Sequence, residues 1–334
     1  MRLSTQSKIT TSLLILVIIY VSLIVLWAIL WLIVDDITWW LTLLNRLVPY
    51  LFVPVPVLLI LTLLTRHFKQ MLLLVIPILI FGLIYHPYLL PKPAQAGRTA
   101  DLRVMTYNVL FSNFQYDAVA NVILTHRPDL VALQEVQPEM MEALKERLEV
   151  EYPYSLMGFR NQYGTTAVFS RHPVTESYVL DLKADRPAAV IKTEIKNREV
   201  TFIAAHLLAY GLWWVDLEDV PDVVMERTAD QNRQAHLLID EVEKHNNIAI
   251  IGCDCNSKET SSTYRILVNT MKNTARQVGW IVNGTGLANT KQDRALQHID
   301  YIFYQGELDP LTIYTIQDSG GSDHLPVLAS YRFN

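Results

Sequence analysis

Between Ile9 and Leu90 the chain carries almost no charge, although 18% of the whole sequence is charged. A segment that is apolar on every side has no polar face to turn toward water, so it must be buried in lipid or in a large core. Three apolar runs make it up, over residues 13–34, 47–64 and 71–90. The first is about one bilayer thickness long, for which roughly 20 residues suffice. The second contains Pro49, Pro54 and Pro56, and the third Pro77 and Pro87. Membrane helices tolerate proline because neighbouring groups satisfy the freed carbonyls, so these two runs are expected to be kinked or short. A mean hydropathy of +0.21 fits a chain with membrane segments rather than an ordinary soluble enzyme.

The charges that flank the runs suggest an orientation. Arg2 and Lys8 precede the first, and Arg66, His67 and Lys69 separate the second from the third. Asp35 and Asp36 follow the first, with Arg46 the one nearby cation. The positive-inside rule then puts the N-terminus and the second connection in the cytoplasm, and everything after Leu90 outside. A cleaved signal peptide is the alternative for the first run, but that run is longer than a typical signal core and two more follow. A buried hairpin in a soluble protein is a second alternative, disfavoured by the absence of polar faces.

Residues 91–100, with Pro91, Pro93 and Gly97, read as a linker, and 101–334 as one catalytic domain. Strands are expected at 102–109, 130–133, 165–170, 174–180, 188–195, 200–205, 248–251, 299–304 and 327–333. Helices are expected at 116–126, 139–148 and 228–245, with a hairpin turn at Asn197. Several consecutive strands between helices favour two packed sheets over a single wound parallel sheet. A net charge of −5 gives no support for a nucleic-acid binder with a broad basic surface. Two cysteines exclude a disulfide-rich scaffold. Cys253 and Cys255 are expected to share one strand face as small buried residues, since a bridge between them would be strained.

Polar motifs recur at the C-terminal ends of these strands. Asn108 ends the first, Glu135 follows the second, His206 follows 200–205, Asp254-x-Asn256 follows 248–251, and Asp323-His324 precede the last. Asp300 lies in His298-Ile299-Asp300-Tyr301. Each has a plain alternative: Glu135 could favour the start of the next helix, and Asp254 with Asn256 could form a turn. Ser322-Asp323 could be a simple loop cluster. As an ordered set, carboxylates, amides and two histidines on loops held by a scaffold are what metal-dependent phosphoester chemistry requires.

Residues 101–334 resemble the endonuclease/exonuclease/phosphatase (DNase-I-like) superfamily. The matching strings include Tyr107-Asn108-Val109, Leu133-Gln134-Glu135-Val136, Gly164 through Arg171, Ala205-His206-Leu207, Gly252 through Asn256, His298 through Ile302 and Ser322 through Val327. The resemblance implies a four-layer α/β sandwich and divalent-metal-dependent cleavage of phosphoesters. By the same resemblance Glu135 ligates Mg²⁺ (Mn²⁺ as a substitute), with Asp323 completing the metal shell. Asn108 and His206 hold phosphate oxygens, Asp254 deprotonates the attacking water, and Asn256 fixes its geometry. Asp300 orients His324, whose imidazolium stabilises the transition state. Two positions depart from the pattern: Leu110 stands where some nucleases have an acid, and Cys255 where an aromatic residue is usual.

The segment 207–215 after His206 is more apolar than a loop should be and contains Trp213 and Trp214. Either it packs under the domain, or the two tryptophans sit at a membrane interface and guide a lipid head group toward His206. Asp216, Glu218, Asp219 and Asp222 follow and would repel a nucleic-acid backbone. The lipid bilayer is therefore the expected partner, and a lipid-linked phosphate, pyrophosphate or phosphodiester the expected substrate. Membrane-anchored members of the superfamily have such substrates. A surface nuclease and a silent, membrane-tethered binding module are the alternatives, and the intact catalytic set counts against the latter.

Overall fold

Strand parity explains the architecture. In β1 (Leu102–Asn108) Leu102 and Val104 point into one core and Met105 and Tyr107 into another. Later in the chain β8 (Ile248–Asp254) behaves alike, with Ile248 and Ile250 on the first side and Ala249, Ile251 and Cys253 on a third. Successive strand residues alternate faces, so a strand that is apolar throughout is covered on both. The structure, a computed structural model, describes residues 5–89, 99–159, 165–245, 247–278, 285–286 and 298–334. The expected linker at 91–98, with Leu90 and Gly164, lies outside the described residues.

Two six-stranded sheets result. The first takes β1, β2 (Leu130–Gln134), β3 (Tyr154–Gly158), β4 (Thr166–Ser170), β11 (Leu308–Thr315) and β12 (Val327–Phe333), in the order β11-β12-β1-β2-β4-β3. The second takes β5 (Val174–Asp181), β6 (Pro187–Ile195), β7 (Arg198–His206), β8, β9 (Lys272–Asn273) and β10 (Asp300–Gln305), in the order β5-β6-β7-β8-β10-β9. The sheets share a core that includes Val104, Ala132, Phe202 and Ile250. Helices α6 (Tyr116–His126) and α7 (Pro138–Leu148) cover the outer face of the first sheet, and α8 (Val220–Glu243) and α9 (Ser262–Thr270) that of the second. The short α10 (Thr274–Val278) follows β9. This is the expected four-layer α/β sandwich. The sheets approach closely at Gly252, where an added Cβ would lie 2.7 Å from Ala132 Cβ.

Two expectations are corrected. The helix expected at 228–245 begins at Val220, with Pro221 in its first turn where proline's missing N–H costs nothing. Cys253 and Cys255 form a disulfide, with Cα atoms 5.2 Å apart. The strand ends at Asp254, and the chain contracts there enough to bring the pair within the usual disulfide range. The strands β3 and β11 and the helix α9 were not anticipated. The hairpin at Asn197 is present, with Lys196 and Asn197 both at positive φ.

The N-terminal region comprises α1 (Thr5–Ile33), α2 (Trp39–Arg46), α3 (Val48–Leu51), α4 (Pro54–Leu64) and α5 (Phe68–Leu89). Two helices, Thr10–Ile33 and Phe68–Tyr88, are long and apolar enough to cross a membrane. A third span results if Trp39–Arg46 and Val48–Leu64, bent by 78°, count as one. The second run is thus bent at its start, ahead of its prolines, whereas the third forms the single helix α5 with Pro77 and Pro87 inside it; the second is also the shorter of the two. Its path still covers the length of the bundle: Thr260 Oγ1 donates to Asn45 O at one end, and His67 Nε2 lies 3.0 Å from Thr10 Oγ1 at the other. The helical region is docked onto the catalytic domain by buried polar contacts. Asp36 Oδ2 accepts from Ser262 N–H (2.7 Å) and Asp36 Oδ1 from Asn45 Nδ2 (2.7 Å). A carboxylate is favoured there because Ser262 opens α9 and its N–H has no helical partner. Trp31 Nε1 donates to Thr260 O (2.8 Å), and Arg265 pairs with Asp35.

Candidate active site

The parity that builds the core also builds the site. Continuing the inward-facing positions of each strand to its end gives Asn108 on β1, Gln134 on β2, His206 on β7, Asp254 on β8 and Asp300 on β10. Strand register brings them to one edge: Asn108 is level with Gln134, and Asp254 with both His206 and Asp300. Glu135 lies one residue beyond β2 at φ 61, a left-handed conformation that returns its side chain to the same edge. Leu110 (φ 63) and Asn256 (φ 45) are similarly placed. Such conformations are uncommon in non-glycine residues and tend to gather at functional sites.

Hydrogen bonds lock the two sheets together at this edge. Asn108 Nδ2 donates to Asp254 Oδ2 (2.9 Å) and Glu135 Oε1 (3.1 Å), and its Oδ1 accepts from Leu110 N–H (2.9 Å). The amide that the resemblance assigns to phosphate thus bridges two carboxylates. Glu135 Oε2 accepts from Phe111 N–H (2.9 Å), so Glu135 does not cap α7, whose N-cap is Gln137. Asp254 Oδ1 accepts from Asn256 N–H (3.2 Å). It closes the anticipated turn with one oxygen while the other faces the site. Asn256 Nδ2 donates to Leu207 O (3.0 Å) and packs 3.2 Å from His206 Nε2.

The histidines differ in charge. Arg186 Nη1 lies 2.9 Å from His206 Nδ1, and a guanidinium only donates, so Nδ1 accepts. Burial, then the Arg186 and His324 cations, hold His206 well below its ordinary value. It is a neutral imidazole whose Nε2 faces Asp254 Oδ2 at 3.5 Å and Glu135 Oε1 at 3.9 Å. His324 Nδ1 lies 2.9 Å from Asp300 Oδ2, and its Nε2 is 3.9 Å from Asp254 Oδ2. Burial alone would lower this imidazole, but the Asp300 and Asp254 carboxylates outweigh it and hold it up to about 10. Ser322 Oγ fixes the loop, donating to Asn108 O (2.7 Å) and accepting from His324 N–H (3.0 Å). Burial, then the Asp300 charge, push the Asp254 carboxyl up to about 7, a value suited to a base at neutral pH.

The donor set fits a cation. Ligand atoms of Glu135, His206 and Asp254 lie within 4.8 Å of one another, as do those of Asp254, Asp300 and His324. Asp323 belongs to neither group. Its Oδ1 and that of Asp300 are buried with no hydrogen-bond partner among the described residues. Oxygens left in this state are acceptors that a bound cation would satisfy. Arg186 was not anticipated from sequence, and nothing in the local pattern of residues 181–187 marks it. Trp213 and Trp214, in a single 3-10 turn, are 90% and 93% exposed and do not pack under the domain.

The electrostatics generate a pH prediction. Asp300 raises both Asp254 (like charge) and His324 (opposite charge), so Asp300→Asn lowers both. If activity needs ionised Asp254 and protonated His324, both limbs of the kcat/KM profile should move to lower pH. Unmoved limbs would rule out these roles. In stability, the raised His324 contributes fully below its unfolded value of 6.5, and that contribution is lost as pH rises through about 10.

The comparisons agree with this geometry. No curated protein sequence matches the chain. A Bacteroides vulgatus endonuclease/exonuclease/phosphatase structure is similar at 18% identity and TM-score 0.58, covering 71% of this chain and 100% of its own. The Bacteroides thetaiotaomicron mannosyl-6-phosphatase is similar at 17% identity and TM-score 0.58, covering 70% and 100%. D. rerio TDP2, solved with a single-strand DNA product, is similar at 17% identity and TM-score 0.56, covering 69% and 98%. At these identities the likeness shows the fold. The Endonuclease/Exonuclease/phosphatase family model matches residues 105–324, a stretch that contains every residue of the site, and the chain belongs to that family.

Proposed function

We propose that the protein is a membrane-anchored, Mg²⁺-dependent phosphoesterase that hydrolyses a lipid-linked phosphate, pyrophosphate or phosphodiester at the outer face of the membrane. One observation carries the lipid reading. The loop that follows Asp254 and Asn256, with the α9 it leads into, is bonded to the anchor: Thr260 to Asn45 near the end of α2, and Ser262 and Arg265 to Asp36 and Asp35 in the turn between α1 and α2. That arrangement ties the segment just after the catalytic edge to the end of α1. The exposed tryptophans support it, since amphipathic rings favour the membrane–water boundary. Trp39 and Trp40 on α2 are also exposed, at 40% and 45%.

In this reading Asp254 accepts a proton from a water whose oxygen bonds to phosphorus as the ester P–O bond breaks. His324, kept cationic by Asp300, donates to a phosphoryl oxygen as negative charge develops. His206 and Asn256 position the phosphoryl group. Glu135, with Asp323 beside it, would hold a hard divalent cation, which supplies charge neutralisation at the phosphate. Asn108 keeps Glu135 and Asp254 aligned. The orientation rests on the positive-inside rule applied to the cations Arg2, Lys8, Arg66 and Lys69.

Four measurements test this reading. Chelation with EDTA should abolish turnover and Mg²⁺ or Mn²⁺ restore it. Glu135→Gln should lower kcat by several orders of magnitude with its melting temperature retained; full activity in chelator would refute the metal role. Replacing Trp213 and Trp214 together by Ala should sharply reduce hydrolysis of lipid in bilayers while sparing a small soluble phosphodiester. Equal losses on both would assign the tryptophans to the domain itself, and efficient DNA cleavage with no effect on lipid would favour the surface nuclease. Finally, a reporter active only outside the cytoplasm should function when fused after Asn334 and fail near Arg66. The reverse pattern would place the site inside the cell.

A further inference from the structure

We propose that the groove between the anchor and the α9–α10 side of the catalytic domain is a binding site for an anionic phospholipid, separate from the catalytic centre. The groove has a volume of about 610 Å³ and contains none of the residues placed in the catalytic edge. Its two walls differ in kind. One is apolar and comes from the anchor, with Ala28 and Trp31 on α1 and Ile80 and Ile84 on α5. The other comes from the catalytic domain and presents three cations, Arg265, Lys272 and Arg276.

Each wall has a reason to be where it is. Both α1 and α5 end at the catalytic domain: Trp31 Nε1 donates to Thr260 O (2.8 Å), and Tyr88 Oη accepts from Asn273 Nδ2 (3.3 Å). The apolar wall is therefore the last stretch of two helices long enough to span a bilayer, and the cations stand where such a bilayer would present head groups. Leu32 and Leu83, also in the lining, are 68% and 74% exposed and extend the apolar wall to the outer flank of the helices. The groove is thus open toward acyl chains on one side and cationic on the other.

Local charges leave the cationic character in place. Glu259 is the one carboxylate in the lining, and His298 Nδ1 holds it at 2.9 Å. Arg265 pairs with Asp35 while its guanidinium stacks on Trp31, 5.4 Å from the ring centroid. Lys272 and Arg276 lie over Tyr304 and Tyr88, at 5.9 and 5.7 Å from the ring centroids. These contacts orient the cations, and among the described residues no carboxylate is paired with Lys272. A soluble anion has no use for the apolar wall, and an uncharged amphiphile none for three cations. Together they select a chain-bearing phosphate, because basic groups near a membrane surface attract anionic lipid head groups.

The inference rests on the anchor lying in a membrane and is independent of the chemistry at Asp254. It is therefore tested on the full-length Glu135→Gln protein in non-ionic detergent, by thermal-shift titration with phosphatidylglycerol, phosphatidylcholine and inorganic phosphate. Phosphatidylglycerol should bind at least about tenfold more tightly than phosphatidylcholine, a difference of about 1.4 kcal/mol. The double variant Lys272→Glu/Arg276→Glu should lose that preference. Leu83→Trp, a change at an exposed position that narrows the apolar wall, should weaken phosphatidylglycerol binding and serves if the double variant fails to fold. Equal affinity for the two lipids, a preference that survives charge reversal, or protection by inorganic phosphate as strong as by the lipid would each overturn the proposal. Retained phosphatidylglycerol binding beside a wild-type enzyme that cleaves no lipid would refute the proposed function and leave this site standing.

Discussion

The hydrogen bond from Asn108 Nδ2 to Asp254 Oδ2, 2.9 Å long, joins the two sheets at the one edge where chemistry is located. It exists because the sheets pack closely enough for side chains of their central strands to meet. Gly252, two residues before Asp254, faces Ala132 and Thr106 with no room for a Cβ. A larger residue there would push the sheets apart and separate Asn108 from Asp254. The arrangement of Glu135, His206, Asp300 and His324 depends on the same seam, since each is placed by a strand of one sheet or a loop bonded to it.

Charge within the seam is unevenly shared. Burial makes each carboxylate costly in ionised form, and Asp254 responds by titrating near neutrality. Asp300 is kept useful by its pairing with His324, while Arg186 occupies His206 Nδ1 and keeps that ring neutral. Two histidines of the same type thus take opposite roles through their partners alone. The buried oxygens of Asp300 and Asp323 that have no hydrogen-bond partner among the described residues lie beside the groups that could together hold a metal ion.

The N-terminal helical region is joined to this centre by more than a tether. Asp36, between α1 and α2, accepts from the first N–H of α9, and Arg46 at the end of α2 lies over the Tyr210 ring, 4.2 Å from its centroid. Tyr210 lies in the segment between His206 and the exposed tryptophans. The helical region therefore contacts the catalytic domain on both sides of the catalytic loop, and the position of the site relative to the anchor is set by buried polar bonds. Such bonds are costly to break, because each lost partner leaves a desolvated group behind.

Much of this was legible in the chain itself. Apolar length determined the helices at the N-terminus, and alternation over residues such as 102–108 and 248–254 determined strands covered on both faces. Polar residues at one end of the strands marked the catalytic edge: Asn108, His206 and Asp254 close theirs, Glu135 follows β2 and Asp300 opens β10. What sequence did not reveal were contacts between segments distant in the chain. Arg186 acts through His206, Asp36 through Ser262, and Asn108 through carboxylates of both sheets. The bridge between Cys253 and Cys255 depended on the chain leaving its strand at Asp254, and the exposure of Trp213 and Trp214 on what did not pack over them. Periodicity is a local property and reports which face a residue occupies. Which residue stands opposite is decided only when the sheets and the N-terminal helices have closed on one another.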